Sequence, residues 1–188
     1  MALQAAERLL ESHGAGGLST RKVATEIGYT VGTLYLVFEN LDDLILQING
    51  RTLDRLYENL KESSKGCAAP QACIEAMAHG YVEYAMAHRK RWQLVFEHVL
   101  TDKRPLPSDY QVKIQRMFDL VEIQLNALMG VRASRQAANA ARALWCGVHG
   151  VCSLAISEKL ELTGVKSVQS LTDTLVDNFL RGLVTKRK

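Results

Sequence analysis

The sequence predicts an all-α fold of about nine helices. Apolar residues recur at spacings of three and four, whereas the alternation of β-branched residues that is typical of strands is scarce. The three prolines, Pro70, Pro105 and Pro107, lie outside the apolar patterns, so long helices can run between them. With 188 residues, of which 47% are hydrophobic and 23% charged, the chain has the composition of a soluble globular protein.

The amino-terminal part contains a long helix and then two short ones. A helix is expected over residues 2–13, with Gly14 ending it. Ser19 or Thr20 can cap a second helix, which ends before Gly28 at a turn that favours a positive φ. Two short helices joined by a tight glycine turn are typical of a helix-turn-helix, whose second helix enters the major groove of DNA.

The remaining helices follow from apolar stripes and breaks. Thr30 can cap a third helix that reaches about residue 38, where Leu34 and Phe38 would join Ile27 in anchoring it to the first helix. A fourth helix starts near residue 40 and is broken around residues 63–66. Further helical segments are expected over residues 70–100, with a bend near 89–91, and over 108–129, 134–160 and 167–184, with a loop at 101–108.

A specific resemblance accompanies the helix-turn-helix pattern. The chain has the run Ser19-Thr20-Arg21-Lys22-Val23-Ala24, then Gly28, then Gly32-Thr33-Leu34-Tyr35-x-x-Phe38. This motif resembles the DNA-binding segment of the tetracycline-repressor (TetR) family of regulators. The resemblance implies a DNA-binding domain at residues 1–48 and a helical ligand-binding and dimerisation domain at residues 49–188.

The resemblance also implies roles for individual residues. Thr20 would cap the bracing helix and contact phosphate, Tyr35 would donate its hydroxyl to phosphate, and Gly32 would allow close approach. Base reading would fall to Val31 and Thr33 through contacts with thymine methyl groups. Arg21 would face the DNA, although a solvated helix start also accounts for this residue and for Lys22. The implied DNA-binding residues are Thr20, Arg21, Tyr29, Thr30, Val31, Gly32, Thr33 and Tyr35.

Two features depart from the family pattern. Val37 and Leu41 stand where the family often has a histidine and a lysine. Residues 1–50 carry three Lys or Arg and six Asp or Glu, so their formal charge is −3. Since phosphate neutralisation supplies much of the affinity for DNA, these features favour an alternative. Under this alternative, the protein is a helical dimeric ligand- or protein-binding module whose helix-turn-helix has weak or no DNA affinity.

The carboxy-terminal part is similar to one ligand-domain type of the same family, marked by Trp145, His149 and Gly150 (a WHG-like domain). Trp145 and His149 stand four residues apart on one helical face, where they can present an imidazole to an apolar cavity. Alternatively, His149 is a core histidine and the aromatic residues fill space. The residues expected to line a pocket for a small-molecule effector are Tyr84, Trp92, Phe96, Met117, Val121, Trp145 and His149.

The last two helices are predicted to form a homodimer. One is rich in alanine and glycine, and the other carries apolar residues around more than half of its circumference. A dimer is expected because a helix-turn-helix repressor needs two half-sites roughly 34 Å apart. The alternative is a helix fully buried within one monomer.

Other functional classes have little support. No nucleotide-binding glycine motif is present, and Cys146 and His149 share an apolar face where packing accounts for both, so no enzyme, catalytic residue or cofactor is expected. The five histidines lack metal-ligand spacing. Residues 143–157 are uncharged but too few to span a membrane. Together with these exclusions, the resemblance implies a cytoplasmic, homodimeric repressor that binds double-stranded operator DNA and a small-molecule effector, with no membrane association.

Overall fold

The structure, a computed structural model, describes residues 1–101, 105–130 and 135–185. Within these ranges there are nine α-helices and no strand, which confirms the predicted fold class. Two 3-10 turns, at Ala15–Gly17 and Leu160–Thr163, join neighbouring helices. The helices are α1 (Ala2–His13), α2 (Thr20–Glu26), α3 (Val31–Leu34), α4 (Leu41–Ser63), α5 (Pro70–Ala87), α6 (Arg89–Glu97), α7 (Ser108–Met129), α8 (Arg135–Ile156) and α9 (Val168–Thr185).

The chain divides into two compact units. The first unit consists of Met1–Arg55 and His88–Lys113, and the second begins with Leu56–Ala87 and continues from Ile114. Helices α4 and α7 each contribute residues to both units. The first unit also contains α6, which lies far along the chain, so the compact units do not correspond to continuous stretches of sequence. The predicted domain boundary at residue 48 stays a prediction.

The first unit has an aliphatic core. The side chains that face inward from α1, α2, α3 and α4 are almost fully buried, and they include Ala6, Leu10, Val23, Leu34, Phe38, Leu44 and Ile48. Ile27 is partly buried against this cluster, as the helical spacing predicted. Because α2 and α3 are too short to be stable alone, this burial is what holds them.

The second unit is built on close contacts between α5, α8 and α9. Small residues allow these contacts: a Cβ added to Gly147 would lie 2.9 Å from Leu175 Cδ2. Gly80 of α5 is similarly close to α4, because a Cβ added to it would lie 2.9 Å from Ser63 Cβ. Asn59 Nδ2 of α4 also donates a hydrogen bond to the Gly80 carbonyl oxygen over 2.8 Å. The alanine and glycine content of α8 therefore already serves packing within one chain.

Three predicted boundaries were wrong. Helix α3 ends at Leu34 rather than near residue 38, because the Leu36 and Val37 amides donate to carbonyl oxygens three residues earlier and so form a tighter turn. Helix α8 ends at Ile156, where Glu158 adopts a left-handed φ of 59° that the sequence does not announce with a glycine. The bend predicted near residues 89–91 is a break at His88, between α5 and α6. Residue 134 and loop residues 102–104, also covered by predictions, lie outside the described residues.

None of the helices in the described ranges is both long enough and apolar enough to cross a membrane.

Candidate nucleic-acid interface

Helix α2 is fixed at its start by a serine cap. The Ser19 Oγ accepts a hydrogen bond from the Lys22 amide over 3.2 Å, which satisfies one of the free amides of the first turn. The assignment of the cap to Thr20 was therefore wrong, because Thr20 is the first helical residue and is half-buried. Arg21 and Lys22 are exposed next to it. The start of α2 thus presents one hydroxyl and two positive charges.

The turn between α2 and α3 depends on glycine. Gly28 has a φ of 74°, as expected from its place after α2. The Tyr29 amide donates to the Ala24 carbonyl oxygen over 2.9 Å, and the Gly28 amide donates to the Thr25 carbonyl oxygen over 3.1 Å. These bonds satisfy the last carbonyls of α2 and stop the helix. The exposed side chain of Tyr29 follows directly.

A threonine cap starts α3. Thr30 Oγ1 accepts from the Thr33 amide over 3.3 Å, and the hydroxyls of Thr30 and Thr33 are 3.0 Å apart. Gly32 is exposed, and a Cβ built on it would have Thr30 Oγ1, 3.7 Å away, as its nearest neighbour. Packing within the chain therefore does not require glycine at position 32.

The predicted DNA-facing residues are brought together in one part of the first unit. Tyr29, Thr30, Gly32 and Tyr35 are exposed, as is Arg21. Thr20 and Thr33 are half-buried, and so is Val31, which packs against the aliphatic core. The apolar surface of Val31 is thus partly used inside the protein.

Several acidic residues of the first unit form ion pairs within it. Glu7 is buried, and its Oε1 lies 3.2 Å from Arg51 Nε and 3.3 Å from Arg91 Nη1. Glu11 also pairs with Arg91. Arg8 forms an ion pair with Glu26 over 3.2 Å between α1 and α2. The charge of −3 over residues 1–50 is therefore not the charge of the folded unit.

Asp42 is a further acid that is buried by contacts within the unit. Both the amide and the hydroxyl of Thr101 donate to its Oδ2, and His98 Nε2 lies 2.9 Å from its Oδ1. The Thr101 hydroxyl is the largest cause that lowers the pKa of the Asp42 carboxyl below its ordinary value. This carboxylate ties the start of α4 to the segment after α6.

The contribution of α6 to this unit was not predicted from the sequence. Lys90 Nζ donates to the Glu11 and Ser12 carbonyl oxygens over 2.6 and 3.2 Å, at the carboxyl end of α1. Residues 51–55 and 88–113 supply eight Lys or Arg and four Asp or Glu, so the unit has eleven basic and ten acidic residues. The run Arg89-Lys90-Arg91 was the available signal, but a run of charges does not identify its partners.

The second unit contains a cluster of half-buried rings, called here the ring cluster and formed by Phe118, Trp145, His149 and the buried Tyr81. The rings of Phe118 and Trp145 meet edge to face at 5.8 Å, and those of Trp145 and His149 lie 4.8 Å apart. A hydrogen bond of 2.9 Å joins the Tyr81 hydroxyl and His149 Nδ1. Burial lowers the pKa of His149 and favours the neutral imidazole.

The seven residues predicted for an effector pocket fall into both units. Tyr84, Met117, Val121, Trp145 and His149 belong to the second unit. Trp92 and Phe96 belong to the first, where their rings pack at 5.0 Å. Two of the predicted residues, Trp145 and His149, belong to the ring cluster of the second unit. The effector pocket itself stays a prediction.

Two family models match the chain. Residues 2–48 match the model of bacterial regulatory proteins of the tetR family, and residues 74–179 match that of the tetracyclin repressor-like C-terminal domain. The two matches are consecutive along the chain and together span most of it. No curated protein matches the sequence.

Solved structures share the fold. A protein of unknown function from Rhodococcus sp. RHA1 has 24% identity, with 96% of this chain and 92% of that chain covered and a TM-score of 0.78. FadR from Bacillus subtilis in complex with stearoyl-CoA has 13% identity, coverage of 96% and 97%, and a TM-score of 0.66. SmeT, the repressor of the Stenotrophomonas maltophilia multidrug efflux pump SmeDEF, has 21% identity, coverage of 96% and 87%, and a TM-score of 0.63.

Proposed function

The chain belongs to the TetR family of transcriptional regulators, and we propose that it is a homodimeric repressor that binds operator DNA and releases it when an effector binds. The observation that carries the proposal is the exposed surface of α2, α3 and their turn, which combines hydroxyls, two cations and an exposed glycine. In the first unit, Glu7, Glu11 and Glu26 form ion pairs with arginines of the same unit, which reduces their repulsion of phosphate and supports the same function. Residues 1–48 would form the DNA-binding domain and residues 49–188 the ligand-binding and dimerisation domain.

In the proposed complex, the residues divide into two roles. The Thr20 and Tyr35 hydroxyls and the Arg21 guanidinium would contact phosphates, which set the position of the protein on the duplex. Tyr29, Thr30, Val31, Gly32 and Thr33 would lie at the major groove. Arg21 and Lys22 take part in no ion pair within the described part of the chain, so both charges are available to phosphate.

The test uses duplexes selected from a random DNA library by the full chain. Fluorescence anisotropy of a labelled selected duplex should give an affinity whose logarithm falls linearly with the logarithm of salt concentration. Arg21→Ala and Lys22→Ala should each reduce that slope by about 1, whereas the exposed Lys166→Ala in the second unit should leave it unchanged. Tyr35→Phe should weaken binding modestly.

The alternative function gives a different result in this test. A ligand- or protein-binding module without DNA affinity would select no duplex and show no salt-dependent binding. If Arg21→Ala kept the salt slope of the parent, or if Tyr35→Phe bound DNA as tightly as the parent at every salt concentration, the phosphate contact assigned to that residue would be wrong.

Dimerisation is proposed through α8 and α9. Exposed or half-buried small residues recur along α8 at Ala143, Cys146, Gly150 and Ser153, and half-buried apolar residues recur along α9 at Val168, Leu171, Leu175 and Phe179. These spacings of three and four mark one face on each helix. A face of small residues next to a half-buried apolar face suits a four-helix contact between two copies.

Light scattering after size exclusion tests the dimer. Ala143→Arg should convert the dimer to a monomer and abolish operator binding, because one half-site alone binds weakly. Ala127→Arg, at an exposed alanine of α7, is the matched control and should leave the dimer intact. A monomeric parent protein would refute this part of the proposal.

The effector is proposed to contact the ring cluster together with Tyr84, Met117 and Val121. Half-buried rings and a neutral imidazole suit an organic molecule with an apolar body. Binding would favour a dimer whose reading helices are spaced wrongly for adjacent half-sites, which requires different effector affinities for the two states.

Native mass spectrometry of the purified protein can reveal a co-purified ligand, and stearoyl-CoA is one defined probe. Trp145→Ala should alter the response of DNA binding to the effector while leaving DNA binding without effector unchanged. An effector that binds tightly and leaves operator affinity unchanged would rule out this switch.

A further inference from the structure

A highly exposed apolar surface follows directly after α3. Leu36 is 84% exposed and Val37 is 68% exposed, and both adjoin the half-exposed Tyr35. The Leu36 amide donates to the Thr33 carbonyl oxygen over 3.3 Å, and the Val37 amide donates to the Leu34 carbonyl oxygen over 3.0 Å. The turn is thus a hydrogen-bonded continuation of α3 and not a loose loop.

The core prevents these two side chains from turning inward. Leu34 on one side and Phe38 on the other are almost fully buried in the aliphatic core. The Phe38 amide also donates to the Leu34 carbonyl oxygen over 2.9 Å, which fixes the turn at both ends. The two adjacent side chains therefore form a small exposed apolar patch whose position is fixed by the turn.

The residues first predicted to read bases have less apolar surface to offer. Val31 is half-buried and packs against the core, and the Thr33 hydroxyl lies 3.0 Å from that of Thr30. Leu36 is the more exposed apolar group, and its amide hydrogen bond to the Thr33 carbonyl oxygen places it one turn after Thr33, next to Tyr35. The only apolar group that base pairs present in the major groove is the thymine methyl.

We infer that Leu36, supported by Val37, recognises thymine methyl groups in the operator and is a specificity-determining residue of this protein. The inference rests on the proposed function, because it assigns a readout to the same DNA-binding surface. The recognition would be a hydrophobic contact between the Leu36 side chain and one thymine methyl group, and no charged group takes part in it. Replacing Leu36 should therefore change sequence preference and leave the salt dependence of binding intact.

Deoxyuridine provides the test, because it differs from thymidine only by lacking the methyl group. In a selected duplex, each thymine is replaced by uracil in turn and the affinity of the full chain is measured by anisotropy. When uracil replaces thymine at one position per half-site, the affinity of the parent protein should fall about three- to fivefold, as expected for one buried methyl group. Leu36→Ala should bind the unmodified duplex more weakly by a similar factor and should lose nothing further at that position.

The matched control is Leu162→Ala. Leu162 is 83% exposed and lies in the 3-10 turn of the second unit, so it has the same residue type and exposure. This variant should keep the parent affinity and the full penalty of uracil. Urea unfolding of Leu36→Ala should match that of the parent, because the side chain is exposed.

The outcomes separate the inference from the proposed function. If the uracil penalty is the same in Leu36→Ala and in the parent, or if no thymine is sensitive in the parent, the inference fails while salt-dependent DNA binding stands. If Leu36→Ala alters self-association without altering DNA affinity, the surface joins two copies and the inference again fails. If the parent binds no selected duplex in a salt-dependent manner, the proposed function itself fails.

Discussion

Both units of the molecule contain ion pairs between helices, but they differ in which side chains are buried. In the first, arginine side chains from α4 and α6 converge on the buried Glu7 of α1. In the second, glycines allow close contacts of α8 with α9 and of α5 with α4, and most of the ring cluster is left half-buried. Ion pairs are directional and hold helices in register, whereas half-buried rings leave surface that a ligand can contact. Under the proposed function, the first unit would read DNA and the second would bind the effector.

The chain offers a separate probe for each unit. It has two tryptophans, with Trp92 buried in the first unit and Trp145 half-buried in the second. Fluorescence of a Trp145→Phe variant therefore reports on the first unit, and fluorescence of a Trp92→Phe variant reports on the second. Urea unfolding in these two backgrounds therefore measures the stability of each unit separately.

The largest effect is expected at Glu7. Glu7→Ala should lower the free energy of unfolding of the first unit by about 3 kcal/mol, at the low end for breaking a buried ion pair, because two of the three arginine partners are partly exposed. Urea unfolding monitored by Trp92 fluorescence measures the change.

Glu11 provides the control for that experiment. It lies one turn further along α1 and also pairs with Arg91, but it is exposed. Glu11→Ala should therefore cost only about 0.5 kcal/mol. Equal effects of the two substitutions would show that burial of Glu7 does not matter.

The second-largest effect is expected at Gly80. A Cβ there would lie 2.9 Å from Ser63 Cβ, an atom close to the backbone that cannot move aside cheaply. Gly80→Ala should lower the free energy of unfolding of the second unit by about 2 kcal/mol, measured through Trp145. Gly182→Ala on α9, where a Cβ meets nothing within 4 Å, should instead stabilise the helix slightly. If both variants were equally stable, the close contact of α4 and α5 would not be tight.

The sequence predicted features that depend on neighbouring residues. Apolar spacing identified the burial of Leu34 and Phe38, and the glycine pattern identified the positive φ of Gly28. The end of α8 was missed because Glu158 adopts the left-handed conformation in which glycine is usual. Local chemistry predicts a helix end only when the residue at that end is a favoured one.

The candidate site was less predictable where it depends on distant partners. Arg91 lies 84 positions from Glu7, and no periodicity links the two, so their pairing was not predicted and residues 1–50 seemed too acidic for DNA. Similarly, the half-burial of Val31 depends on how α3 packs on the core. A motif predicts which residue types are present, whereas the accessible surface of each one depends on tertiary packing.

The third prediction concerns the pH dependence of the second unit. Burial lowers the pKa of His149 from its ordinary value of 6.5, so the unfolded chain binds this proton more readily than the folded one. The contribution of neutral His149 is fully present above pH 6.5 and is lost as the pH falls from there through the folded-state pKa. Urea unfolding at a series of pH values, monitored by Trp145 fluorescence, should show this loss as a lower free energy of unfolding of the second unit. His149→Gln should remove it, whereas the exposed His13→Gln should leave it unchanged. If the free energy of unfolding of His149→Gln fell with decreasing pH as steeply as that of the parent, the pH dependence would belong to other groups.

The smallest effect on stability is expected at Gly32, where stability and function should change in opposite directions. Because packing leaves room for a methyl group, Gly32→Ala should raise the free energy of unfolding of the first unit by about 0.5 kcal/mol through helix propensity. The same methyl group would stand between α3 and the duplex, so operator affinity should fall about tenfold, or about 1.4 kcal/mol. Gly16→Ala, another glycine with open space around it, lies outside the reading surface and should leave affinity unchanged. A Gly32→Ala variant that is more stable and binds DNA as tightly as the parent would mean that α3 does not approach the groove closely.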